Sequence, residues 1–194
     1  DINKNIYTII FCRTRRETKN LSNMLVKDNY KAKVLNGELS QSERDQVMKQ
    51  FRTKKINILI ATDVASRGID VNNLTHIINY NLPDDPEVYV HRSGRTGRAG
   101  NDGLSIALIS KTEYYRLKEI EKLSKISFKE KVAPTEEDIL KSKVSSFTEQ
   151  LVNAPIPNKE DRAMFNDLYS NLNHFTKEEI IGKVISLNTN KTKK

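Results

Sequence analysis

The stretch HRSGRTGRAG, residues 91–100, sets Arg92, Arg95 and Arg98 three residues apart among Gly94, Gly97 and Gly100. A guanidinium is always charged and presents a planar fork that matches phosphate oxygens. Glycine lets a backbone approach a ligand or another segment closely. Crowded cations repel one another, and a polyanion among them relieves that repulsion. The chemistry these residue types favour is phosphate recognition and, where a phosphoryl group is transferred, stabilisation of the charge on it. A basic turn with glycines for tight geometry is the plainer reading. The stretch TDVASRGID, residues 62–70, follows a similar logic. Thr62, Asp63 and Arg67 come directly after an apolar run, Gly68 permits close approach, and Asp70 can accept hydrogen bonds from a ribose hydroxyl. Here the plainer reading is a polar loop capped by aspartates.

Other chemistries are poorly served. One cysteine and three scattered histidines give no zinc-ligand spacing. Cys12 closes an apolar run and reads as a small core residue, not as a nucleophile paired with His91. No G-x-x-x-x-G-K-[ST] occurs; Gly182–Lys183 is the one Gly-Lys pair, and Val184 follows it. A nucleotide handled by this chain is therefore met by arginines and not by a phosphate loop of its own. A single cysteine excludes an internal disulfide framework and fits a reducing, cytoplasmic setting. The longest apolar run, residues 6–12, is far too short to span a membrane.

These residues need elements to hold them. Apolar runs at 6–12, 32–36, 56–61, 75–80 and 103–109 read as strands, the first and third apolar on both faces. Helices are expected at 15–28, from Ser40 to Phe51, from Pro86 toward His91, and at 112–124. Leu21, Met24, Leu25 and Asp28 mark the faces of the first. Ser40 and Glu43 make a capping box, and Asp85–Pro86 an N-cap followed by Pro at N1. Buried strands alternating with helices imply a parallel sheet covered on both sides, with function gathered in the loops past the strands' carboxyl ends. Those loops hold residues 13–18, 36–41, 62–70 and 91–100.

The charge follows the same division. Of the net +8, residues 1–132 carry all of it, with 24 Lys/Arg against 16 Asp/Glu, while residues 133–194 hold nine of each. The first part is the candidate for a polyanionic partner. From Pro134 onward the pattern changes to three short amphipathic helices. Thr135 and Asp138 cap the first, which carries Leu140, Val144, Phe147 and Leu151 on one stripe. Met164, Phe165, Leu168, Tyr169 and Leu172 mark the second. Thr176 and Glu179 cap the third, with Ile180, Ile181, Val184 and Ile185, and residues 188–194 read as a frayed tail. Their apolar faces need a partner: each other, the α/β part, or a second copy of the chain.

Taken in order, four strings resemble the second RecA-like domain of DEAD-box RNA helicases. IIFCRT (9–14) is similar to motif IV. NGELSQSER (36–44) is similar to the glycine and Q-x-x-R element, with Asn36 where the family often has His. ATDVASRGID (61–70) is similar to motif V and YVHRSGRTGRAG (89–100) to motif VI, with Ser93 where Ile or Ala is common. The strings resemble most the bacterial cold-shock DeaD type, and residues 175–187 resemble the helical region that follows the domain there.

The resemblance implies an α/β fold: a RecA-like parallel sheet flanked by helices over 1–132, then a small α-helical extension over 133–194 that is a possible dimerisation module. It implies the C-terminal half of an ATP-dependent RNA helicase, a hydrolase in the full-length protein and inactive as this part alone. Arg95 and Arg98 would be the catalytic arginine fingers on ATP. Asp70 and Gly68 would join them in ATP binding. His91 and Arg92 would couple ATP to the interdomain cleft. Arg13, Thr14, Gly37, Gln41, Arg44, Thr62 and Arg67 would line the RNA backbone path, without reading base sequence. ATP with Mg2+ would be held mainly by the family's first domain, which carries the P-loop, the DEAD box and the Q motif. None of these occurs here, and the chain has no Asp-Glu dipeptide. The expectation is a fragment, N-terminally truncated just before motif IV. A non-enzymatic RNA-binding module using the same basic face is the rival reading.

Overall fold

A computed structural model of the protein describes residues 6–66, 69, 71, 73–97, 102–156, 158 and 165–189. Arg67, Gly68, Asp70, Arg98 and Met164, singled out above, lie outside the described residues, as does the tail from 190 onward. The chain divides into two compact units, Ile2–Lys129 and Glu130–Lys194.

The first unit is built on five parallel strands, β1 (Thr8–Phe11), β2 (Ala32–Leu35), β3 (Ile58–Ala61), β4 (His76–Asn79) and β5 (Leu104–Ala107), in the order β2-β3-β1-β4-β5. The sequence explains the order. β1 and β3, the runs apolar on both faces, are buried throughout, whereas β2 and β5 lie at the edges and are partly exposed. Leaving β1 the chain moves toward β2; leaving β3 it moves the other way, to β4. Crevices form at the carboxyl ends of strands where a parallel sheet reverses direction in this manner.

One face carries Ile9, Phe11, Leu59, Ala61 and Ile77 beneath α2 (Gln41–Arg52), whose Val47, Met48 and Phe51 complete the main core. The other face carries Ile10, Ile58 and Ile60 beneath α1 (Arg15–Lys27). Here the structure corrects the sequence. The side of α1 turned inward is Thr18 and Ser22, with Leu21 and Leu25 half-buried, and Met24 is 65% exposed. Thr18 is buried because its hydroxyl donates to the Arg15 carbonyl (2.6 Å) and accepts from Asn36 Nδ2 (3.2 Å). Polar side chains thus occupy the inward side of α1, while Met24 stands exposed.

Between β3 and β4 a single turn of helix, α3 (Asp63–Ser66), appears where the sequence reads as a loop. It is too short to show a helical period. α4 (Pro86–Ser93) starts at the Asp85 cap with Pro86 at N1, as its sequence indicates. A 3-10 turn, Lys111–Glu113, leads into α5 (Tyr114–Ser124), which packs on α4 through Tyr89, Leu117 and Ile120.

The second unit contains α6 (Glu136–Val152), α7 (Asn166–Leu172) and α8 (Lys177–Thr189). Both its capping boxes form, Thr135 with Asp138 and Thr176 with Glu179. α6 packs against α8. The stripe on α6 stays largely open, with Val144 and Phe147 half-buried and Leu140 and Leu151 exposed. α8 runs through residues 188 and 189, which the sequence reads as tail.

Candidate functional site

The carboxyl ends of β1, β2 and β3 surround an open cleft of about 290 Å³, lined by Arg13, Thr14, Arg15, Gly37, Thr62 and Val64. Arg13, Thr14, Gly37 and Thr62, four of the seven residues expected on a nucleic-acid path, meet in it. Arg15 and Val64 join them. Arg15 is the first helical residue after a strand, and its position gives it a side chain at the cleft. The N-terminus of α1 opens here too, with the partial positive charge that helix starts offer to anions.

Gly37 has no structural need to be glycine. Its backbone is not in the left-handed region, and a Cβ built there would meet only the Arg15 guanidinium, at 3.8 Å. Gly103 is the opposite case. A Cβ there would overlap Gly97 N and Thr96 Oγ1 and lie 2.8 Å from Gly97 Cα. Gly97 itself sits at φ 66°. Close backbone packing against the start of β5 is therefore what shapes the arginine stretch at Thr96–Gly97.

Gln41 and Arg44, also expected on the path, make contacts within the domain. Gln41 donates to Asp45 on the exposed side of α2 (2.9 Å). Arg44 donates to the Ala65 carbonyl (3.0 Å) and so ties α2 to α3. Thr14 caps α1: its hydroxyl accepts from the Glu17 N–H (3.1 Å) and donates to Glu17 Oε2 (2.9 Å), which also accepts from Thr14 N–H (2.8 Å). Burial pushes the Glu17 carboxyl up, but hydrogen bonds from Thr14 and Asn81 and the Arg13 charge outweigh it and hold the group below its ordinary range. Asn36 is buried and organises the turn before Gly37, accepting from the Glu38 N–H (3.1 Å).

Arg92 is the hub behind the cleft. Only 4% exposed, it donates from Nε and Nη2 to the two Asp63 carboxylate oxygens (2.7 and 2.6 Å) and from Nη1 to Asn79 Oδ1 (2.7 Å) and the Asn81 carbonyl (3.0 Å). Its guanidinium lies 4.8 Å from the centre of the Phe11 ring. Bidentate pairing with Asp63, whose side chain is 40% exposed, is the geometry that makes such a buried cation tolerable. His91, next to it, is exposed. Arg95, half-buried, donates through Nη1 to the carbonyl of Ile69, the residue between Gly68 and Asp70 in the sequence. The two arginine-bearing stretches are thus joined twice, through Asp63 and through Ile69. Sequence reasoning places Asp63 by its strand end but misses Asn79 and Asn81, whose partners lie far away in the chain.

Cys12 is fully buried. Burial, reinforced by the Glu17 carboxylate and opposed by Arg92, pushes its thiol up to about 12. It is a core residue and not a nucleophile. Among the described residues no group of three or more His, Cys, Asp and Glu is placed to hold a metal ion, and no helix is long and apolar enough to cross a membrane.

Residues 2–100, which span β1 to β4 and all of these loops, match the helicase conserved C-terminal domain. The chain belongs to that family, in its DEAD-box branch. A probable ATP-dependent RNA helicase of Methanocaldococcus jannaschii is 52% identical over 66% of this chain and 35% of its own length. The ATP-dependent RNA helicase CshA of Limosilactobacillus reuteri is 43% identical over 72% of this chain and 28% of its own. Dbp5 of S. cerevisiae, in a structure bound to RNA and ADP BeF3, superposes with a TM-score of 0.61 at 32% identity, covering 73% of this chain and 38% of that one. The chain thus spans about a third of the length of the relatives it matches. The parallel sheet with flanking helices is the RecA-like arrangement of this helicase domain.

Proposed function

We propose that this chain works as the C-terminal half of an ATP-dependent DEAD-box RNA helicase. It grips the RNA backbone in the cleft at the ends of β1, β2 and β3, and it offers Arg95 and Arg98 to ATP held by the first RecA-like domain. The observation that carries the reading is the convergence of Arg13, Thr14, Arg15, Gly37 and Thr62 on one open cleft at a helix start. Phosphate and sugar contacts from such a cleft carry no base sequence. Arg95 supports the second half of the reading, because it already touches the loop in which Gly68 and Asp70 would meet the nucleotide. His91 and Arg92 would join the two sites, with Arg92 holding Asp63 at the root of that loop.

ATP and RNA that both bind across two domains each favour closure, so each raises the affinity for the other. Closure would bring the arginines to the γ-phosphate and complete the site. A closed grip bends one RNA strand and disfavours a continuous duplex, which is local unwinding. Mg2+, when bound, would neutralise phosphate charge, and it would be held mainly by the first domain. The protein would act in the cytoplasm, where its single thiol stays reduced. A homodimer through residues 133–194 belongs to the same proposal, motivated by the exposed apolar side chains of α6 and α8.

The test is reconstitution. The chain alone is expected to hydrolyse ATP negligibly. Supplying the first domain together with RNA is expected to restore turnover, and Arg95→Ala is expected to lower it about a thousandfold, the lower range for an arginine finger. Undiminished turnover in Arg95→Ala would sink the assignment.

A further inference from the structure

We infer that Asn81 is a positioning residue that locks the RNA cleft to the arginine-bearing helix α4. It does so through a hydrogen-bonded pair with Glu17 that tolerates only one donor pattern. The inference rests on the proposed reading of the cleft as an RNA grip.

Asn81 stands two residues past β4, between the two functional regions. Its carbonyl accepts from Arg92 Nη1 (3.0 Å), on α4. Its side-chain Oδ1 accepts from the Arg13 N–H (2.9 Å), and its Nδ2 donates to Glu17 Oε1 (3.2 Å). Glu17 Oε2 in turn accepts from both the N–H and the hydroxyl of Thr14. One amide therefore fixes the backbone of Arg13 and the cap of α1, both at the cleft wall, and anchors them to Arg92. The orientation of the amide is forced. Turned over, it would set an NH2 against the Arg13 N–H and an oxygen against a carboxylate.

The charged groups around the pair are Arg13 and Asp84 on one side, Arg92 and Asp63 on the other, with the Cys12 thiol nearby. Arg13 and Arg92 are already turned toward other carboxylates, Arg13 to Asp84 (3.4 Å) and Arg92 to Asp63. Neither is directed at a second carboxylate placed at position 81. Asn81→Asp would thus remove the donor and face one carboxylate with another. Glu17→Gln would face one NH2 with another. Making both changes restores a match. The amide NH2 introduced at position 17 donates to the carboxylate introduced at position 81, while the amide oxygen keeps the capping role that glutamine fills as glutamate does.

The experiment is a double-mutant cycle on the full chain, read in two ways: binding of a short labelled oligouridine, and amide hydrogen exchange at Arg13. Each single change is expected to weaken binding about tenfold and to speed exchange at Arg13, and the double variant to return both to within about twofold of the original protein, a coupling of the size neighbouring residues show. Asn81→Asp should also regain binding as the pH is lowered to about 5, where one proton shared by the two carboxyls replaces the lost donor. Additive effects in the exchange cycle overturn the pairing. So does a double variant as weak as the worse single one. Failure of the unaltered chain to bind oligouridine overturns the reading of the cleft instead, and the exchange cycle still decides the pairing by itself.

Discussion

At the scale of single residues, what separates ligand-facing positions from structural ones is whether the fold itself uses the side chain. Arg92 and Asn36, though polar and among the motifs, are buried and hydrogen-bonded within the domain. Gly37 is unlike them, because neither its backbone angles nor its surroundings demand glycine. A methyl there would project into the cleft beside Arg15. Gly37→Ala is therefore expected to leave the thermal midpoint unchanged or slightly raised, since alanine lowers the entropy of the unfolded chain. The same change should weaken single-stranded RNA binding about fivefold to tenfold, by holding the sugar-phosphate chain off the cleft floor, a loss of about 1 kcal/mol on the affinity scale. Calorimetry and fluorescence anisotropy on one preparation check both halves. A drop in midpoint with unchanged affinity would mean that the glycine serves the fold.

At the scale of elements, the helices are held at their starts by reciprocal caps. Thr14 with Glu17, Ser40 with Glu43, and Thr135 with Asp138 each close a box, and each carboxyl is held below its ordinary range. For Glu43 the largest cause is the hydrogen bond from the Ser40 hydroxyl, followed by that from the Ser40 N–H. A carboxylate depressed in the folded state adds stability that is present in full above its unfolded value, about 4.3 for glutamate, and is lost as the pH falls through the lower folded value. Glu43→Gln keeps the cap but cannot titrate. The gap in thermal midpoint between the two proteins should therefore be constant from about pH 6 to about pH 5 and shrink at lower pH. A gap that widens on acidification would contradict the sign. Caps of this kind are also why the elements can be read from sequence: Ser40, Asp85, Thr135 and Thr176 announce helix starts by local chemistry alone. The first box is harder to see because Thr14 has a competing reading as a ligand residue, and it serves both the cap and the cleft wall. The buried side of α1 is hidden for a different reason, since Thr18 and Ser22 face inward and Thr18 is held there by Asn36, a partner eighteen residues away. The same limit applies to the site. Arg13, Gly37 and Thr62 are legible because strand ends point them into one crevice, whereas Asn81 acquires its role from Arg13, Glu17 and Arg92, which only the folded sheet brings to it.

At the scale of the whole molecule, the two units differ in how they treat apolar surface. In Ile2–Lys129 the large side chains of the central strands are buried. In Glu130–Lys194 none of the described residues is fully buried, and Val152, Ile156 and Leu187 are 77%, 79% and 70% exposed. Helices with this much uncovered apolar surface are stabilised chiefly by what packs on them, since short helices are marginal in isolation. A second copy of the same unit offers a matching surface by symmetry, because a two-fold interface uses one patch twice. Charge does not oppose it, as residues 133–194 hold equal numbers of Lys/Arg and Asp/Glu. The chain is therefore expected to scatter light as a dimer at micromolar concentration. Val152→Glu together with Leu187→Glu should convert it to a monomer, since each charge would otherwise be buried without a partner. RNA binding by the first unit should survive the change, apart from any gain that two linked sites confer on a long strand. A short oligouridine isolates the first effect and a long one the second. A chain that stays monomeric at high concentration before any substitution would end the dimer proposal and leave the cleft unaffected.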